Sequence, residues 1–119
     1  MITSDLREGI VWLTVEGELT FEDVQHEVSQ WVAQKNRFSG FITDLRGMGG
    51  VPPMGELQKM EAWREQNRSG KPHAVLGQTN ALSALLTIYV RLTQARDTRY
   101  FMDADAAIEW VKGFELSAR

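Results

Sequence analysis

Cysteine is missing from this 119-residue chain, which removes disulfides, thiol nucleophiles and thiolate metal ligands together and is compatible with a reducing compartment. Histidine is nearly as scarce. His26 and His73 are far apart and lack HxxxH spacing, so spacing alone assembles neither a metal site nor a nucleophile–base pair. No run approaches the ~20 apolar residues needed to span a bilayer. Met1 leads into Ile2-Thr3-Ser4-Asp5 without the basic-then-apolar pattern of a signal peptide. The expected location is therefore cytoplasmic, with peripheral membrane contact left open. A formal charge of −3 and a pI near 5.4 argue against a dedicated nucleic-acid binder, which needs clustered Lys and Arg for phosphate contacts. What is present is ordinary for a globular protein: 43% hydrophobic and 24% charged residues. The length suits one domain over residues 1–119, large enough to bury a core without staples.

The patterning alternates strands and helices. Ile2 to Leu6 and the β-branched run Ile10 to Val15 flank a turn at Arg7-Glu8-Gly9, which predicts a hairpin. Both faces of the second strand are apolar, as in a central strand covered on each side. Thr20 followed by Asp23 resembles a capping box, opening a one-faced helix through Val24, Val28, Trp31 and Val32 to about Lys35. Ser39 to Leu45 reads as a third strand, His73 to Gly77 as a fourth and Thr98 to Met102 as a fifth. Asp103 is placed to cap a last helix ending at Gly113. The order ββαβαβαβα predicts an α/β fold: a mostly parallel, mixed five-stranded sheet with about four helices and an antiparallel edge hairpin.

Two of the helices carry more apolar surface than one side of a sheet requires. In Asn80 to Gln94 the apolar arc spans roughly 240°, against the ~100° that core packing needs. Leu82, Leu86 and Val90, with Tyr89 nearby, are the surplus. In the helix from Met54 to about Asn67, Met54, Leu57, Met60 and Trp63 recur at every third residue, a stripe that winds around the helix. These eight side chains define a candidate apolar groove. The glycine- and proline-rich segment before it, with Gly47, Gly49, Gly50, Pro52 and Pro53, is a candidate hinge.

Catalytic motifs are weak. Gly47-Met48-Gly49 begins a dinucleotide fingerprint, but its third glycine would fall at Pro52, and Gly70-Lys71-Pro72 is no P-loop. Asp103 and Asp105 are explained by helix capping and the helix dipole. Arg64, Arg68 and Lys71, and separately Arg91, Arg96 and Arg99, read by default as solvated faces. No metal, cofactor or catalytic residue is assigned.

Glu16-Gly17-Glu18-Leu19-Thr20-Phe21-Glu22-Asp23, Ala74-Val75-Leu76-Gly77, and Arg99-Tyr100-Phe101 with Asp103, Ala107 and Trp110 resemble the SpoIIAA-like family of the STAS superfamily over residues 8–112. The resemblance implies the same sheet architecture. STAS-type anti-anti-sigma proteins carry an Asp-Ser-Ser-Gly-like turn after the third strand, where a serine is phosphorylated. Here Asp44-Leu45 matches the strand end, but the turn contains no hydroxyl, so the phosphorylation switch transfers to no residue. For the SpoIIAA-like branch, the resemblance to CRAL-TRIO-type domains implies apolar-ligand binding and membrane association. The expectation is a noncatalytic module taking an apolar small molecule or lipid in the groove. The alternatives are a regulatory protein-interaction module or homodimer lacking the phosphorylatable serine, and an enzyme using His73 or Asp44.

Overall fold

The computed structural model describes residues 1–50, 52–66, 70–77 and 97–117. Strands β1 (Ile2–Arg7) and β2 (Ile10–Gly17) form the expected hairpin. Its two-residue turn holds Glu8 and Gly9 at φ 53° and 78°, the doubly positive geometry whose twist matches the flanking strands. Helix α1 (Phe21–Val32) leads through a 3-10 turn (Lys35–Arg37) to β3 (Gly40–Met48). Helix α2 (Met54–Gln66), β4 (His73–Leu76), β5 (Thr98–Phe101) and α3 (Ala104–Ser117) follow. The sheet order is β1-β2-β3-β4-β5, with β1 antiparallel and the other neighbours parallel. This is the expected α/β architecture with its antiparallel edge. Three α-helices are among the described residues; the helix expected over residues 80–94 lies outside them.

Because strand side chains alternate between faces, the apolar run of β2 feeds two cores. Ile10 and Trp12 join Ile42, Ala74, Leu76, Ala107 and Val111 beneath α3. Val11, Leu13 and Val15 join Ile2, Leu19 and Phe38 on the other face, with Val24, Val28 and Trp31 of α1 packed against them. Each fully buried aliphatic side chain contributes roughly 1.5–3 kcal/mol before entropy losses, and Ile10, Val11, Val15, Ile42 and Leu76 are all at most 1% exposed. A central strand buried on both faces is the reading that the sequence supports, and it holds.

Three boundaries differ from the sequence reading by about three residues or more, and the others by one or two. Helix α1 stops at Val32, and the amides of Gln34 and Arg37 turn back to Trp31 and Gln34 at 2.9 Å, tightening the chain into the 3-10 geometry. Strand β3 runs three residues past Leu45. Helix α3 continues through Gly113 to Ser117, with Phe114 packed edge-on against Trp110 at 5.4 Å. That i,i+4 aromatic contact offsets part of the ~1 kcal/mol cost of a helical glycine.

Candidate functional site at the carboxyl end of the sheet

The extension of β3 has a visible cause. Thr14 pairs with Asp44 but Glu16 pairs with Gly47, so β3 contains one residue more than β2 across that step. This is a bulge. Asp44 holds it: Oδ1 accepts from the Arg46 backbone N–H at 3.1 Å and from Arg46 Nε at 2.9 Å, while Oδ2 accepts from an Arg46 terminal nitrogen at 2.7 Å. The Arg46 side-chain hydrogen bond keeps the Asp44 carboxyl below its ordinary pKa, outweighing the opposing effect of burial. The same bond raises the Arg46 pKa. The Asp-x-Arg spacing, which puts both side chains on one face of a strand, was the sequence signal for this pair.

Beyond the bulge the chain stays tied to β2. Gly47 lies in β3 opposite Glu16, and the Gly49 amide donates to the Gly17 carbonyl at 2.8 Å. A Cβ on Gly47 would sit 3.0 Å from the Val15 carbonyl oxygen, so the glycine permits close backbone approach. Of the hinge candidates, Gly47 and Gly49 are thus pinned to the sheet, while Gly50 and Pro53 are exposed and Pro52 is half-buried.

The start of α2 is fixed from an unexpected side. Glu56 Oε2 accepts from the Phe21 backbone N–H at 2.7 Å. It therefore satisfies one of the open amides at the amino terminus of α1 while standing in the first turn of α2. Thr20 Oγ1 accepts from the Asp23 amide at 3.2 Å, the expected cap. The amino ends of both helices consequently meet beside the β3–α2 turn.

This end of the molecule also gathers exposed methionines. Met54 opens α2 and is 62% exposed, Met102 follows β5 at 57%, and Met1 precedes β1 at 66%. Because β1 runs antiparallel, its first residue lies at the carboxyl end of the other four strands. The Met1 ammonium donates to the Glu16 and Glu18 carbonyls at 2.7 and 2.9 Å. Met1 and Met102 border opposite edges of a five-stranded sheet, about 19 Å apart at ordinary strand spacing.

The proposed apolar groove is placed only in part. Met60 packs against the core beneath α1, Leu57 and Trp63 are half-buried and Met54 faces solvent. Leu82, Leu86, Tyr89 and Val90 lie outside the described residues, as do Arg68, Arg91 and Arg96. The solvated-face reading fails for two cations. Arg64 turns to Asp97 at 3.2 Å with both side chains largely covered, and Lys71 donates to the Phe38 carbonyl at 2.8 Å. Exposed Arg99 lies over the Phe101 ring.

His73 shares a 2.6 Å hydrogen bond with Thr43 Oγ1, and its backbone amide donates to the Asp97 carbonyl. Burial lowers its pKa to about 4, aided by the Arg64 charge and opposed by Asp97. Thr43 and Asp44 are consecutive on β3, so His73 and Asp44 act on opposite faces of the sheet and form no acid–base pair. His26 is exposed. Asp103 accepts from the Ala106 amide at 3.0 Å, the expected cap of α3.

The SpoIIAA-like family profile matches residues 10–112. The chain belongs to the SpoIIAA-like family. Two solved structures share the fold. One is an anti-sigma factor antagonist from Mycobacterium paratuberculosis, 14% identical, with a TM-score of 0.71 over 94% of this chain and 93% of that one. The other is an uncharacterised protein of the DUF3478 family with a SpoIIAA-like fold from Shewanella loihica PV-4. It is also 14% identical, with a TM-score of 0.67 over 93% of this chain and 92% of that one. No curated protein sequence matches the chain significantly. In this family member, Leu45 to Gly55 contains neither serine nor threonine.

Proposed function

We propose that this SpoIIAA-like protein is a noncatalytic regulatory module that binds a partner protein at the carboxyl end of its sheet. The observation that carries the reading is that a bulged strand, two helix amino termini and exposed Met54 and Met102 all lie at that end of the sheet. Methionine makes an adaptable apolar contact, and crevices outside the carboxyl ends of parallel strands are the usual binding position in such sheets. Similarity to an anti-sigma factor antagonist supports an interaction role. The missing hydroxyl separates this chain from phosphorylation-gated switching at that turn. An apolar ligand or lipid draws no comparable support, because Met60 is already committed to the core and Met54 stands apart from it in solvent.

A photo-reactive amino acid at Met54 tests the proposal in the source cell, with Asn36, exposed near the opposite end of the sheet, as control. The expected result is a discrete protein adduct from position 54 that is absent from position 36. Lipid adducts alone, self-adducts alone, or the same adducts from both positions contradict it.

A further inference from the structure

A second surface lies along the outer edge of β1. The Glu8-Gly9 turn joins Arg7 and Ile10, which makes their pairing hydrogen-bonded, and hydrogen-bonded pairs then recur at every second residue. Met1 and Glu16 exchange both backbone bonds, in phase with that pattern. The backbone N–H and C=O groups of Ile2, Ser4 and Leu6 therefore point away from β2. Among the described residues no strand pairs with them. Six residues of β1 leave this edge open, and Leu6 is 38% exposed.

Charge identifies what the edge accepts. Residues 1–34 contain seven acidic residues and one basic one, a formal −6, whereas the rest of the chain carries +3. Beside the edge, an open depression is lined by Met1, Ile2, Glu22, Asp23, His26 and Glu27. The helix dipole accounts for acids in the first turn of α1, at Glu22 and Asp23. It does not account for Glu27 in the second turn, nor for Glu16 and Glu18, whereas Asp5 is paired with Arg7 at 3.0 Å and Glu8 with Lys112 at 3.1 Å. Ser4 Oγ donates to Glu27 and accepts from Trp31 Nε1 at 2.9 Å, which fixes this wall of the depression to the strand. A second copy pairing edge to edge would set one acidic α1 against another. That repulsion disfavours self-association.

We infer that the β1 edge adds an extended, basic segment of a partner protein as a sixth strand. The segment's backbone pairs with Ile2, Ser4 and Leu6, and alternate Lys or Arg side chains reach the acidic depression. Main-chain bonds supply the affinity and the depression the preference for cations. This surface adjoins the methionine-bearing end at Met1 and the first turn of α1, but its backbone pairing along Ile2, Ser4 and Leu6 does not rest on docking there.

The test uses the full chain and two synthetic eight-residue probes, alternating Lys-Val and alternating Glu-Val, with amide hydrogen exchange read by NMR. Lys-Val is expected to slow exchange at Ile2, Ser4 and Leu6, while Glu-Val does not. L6P removes an outward amide and is expected to abolish that protection. Should L6P fold poorly, E22K provides the second variant, at an exposed position, with affinity for Lys-Val reduced about five- to tenfold. Equal protection by both probes, undiminished affinity in folded E22K, or Lys-Val binding without slowing at those three amides overturns the inference. So does protection that grows with protein concentration in the absence of a probe.

Discussion

At Gly40 a single methyl group is decisive. A Cβ there would lie 2.7 Å from the Pro72 carbonyl oxygen and 2.7 Å from Val111 Cγ1, well inside van der Waals contact, with backbone on one side and a buried side chain on the other. Gly40→Ala is expected to lower the stability by about 2 kcal/mol, seen as a reduced urea midpoint with unchanged slope. Unchanged stability would show that α3 yields easily. A second residue-scale expectation concerns acid. His73 titrates near 4 in the folded chain, below its ordinary 6.5, so the unfolded chain binds the proton first as pH falls. Stability is full above 6.5 and is lost progressively between 6.5 and about 4, by about 3 kcal/mol in all. His73→Gln should flatten urea-derived stability across that window. Asp44 also has a lowered folded pKa; its contribution is present above its ordinary value of 3.8 and disappears at lower pH. Asp44→Asn should therefore alter the acid limb below the window of His73. None of these residue roles was legible in full: Gly40 reads simply as a strand glycine, and Arg64, Asp97 and His73 meet only after long stretches of chain have folded.

Elements were easier to read than their ends, because periodicity reports which side of a strand or helix is buried over several residues at once. The two apolar faces of β2 and the Thr20 cap were visible in Ile10 to Val15 and in Thr20-x-x-Asp23. The extra length of β3 was not, since its bulge depends on Asp44 folding back on Arg46. Nor was the role of Glu56, whose partner amide belongs to another helix. Two helix caps give separable expectations. Thr20→Ala should cost about 1 kcal/mol, measured by chemical denaturation. Glu56→Ala should speed hydrogen exchange at the Phe21 amide more than at the amides of α3. Equal changes at both would assign Glu56 to general stability and leave the two helix starts independent.

For the molecule as a whole, the sequence indicated the α/β plan because alternating elements and short connections permit few arrangements. It was less informative about the site. Surplus apolar surface names no occupant, and the methionines at positions 1, 54 and 102 lie at the same end of the sheet only through the direction of the strands. The same folding sets the acidic flank along β1 beside the carboxyl end, the two meeting at Met1 and the first turn of α1. A regulatory module with these surfaces should engage its principal partner without a phosphorylation event in the β3–α2 turn. The decisive measurement is amide hydrogen exchange of the full chain, free and bound to the protein captured from position 54. The expected result is slowed exchange at residues 46–50, 54–56 and 101–103, with α3 beyond Asp105 unchanged. Protection confined to α3 or to the 3-10 turn, with those carboxyl-end residues unaffected, would contradict the proposed docking face.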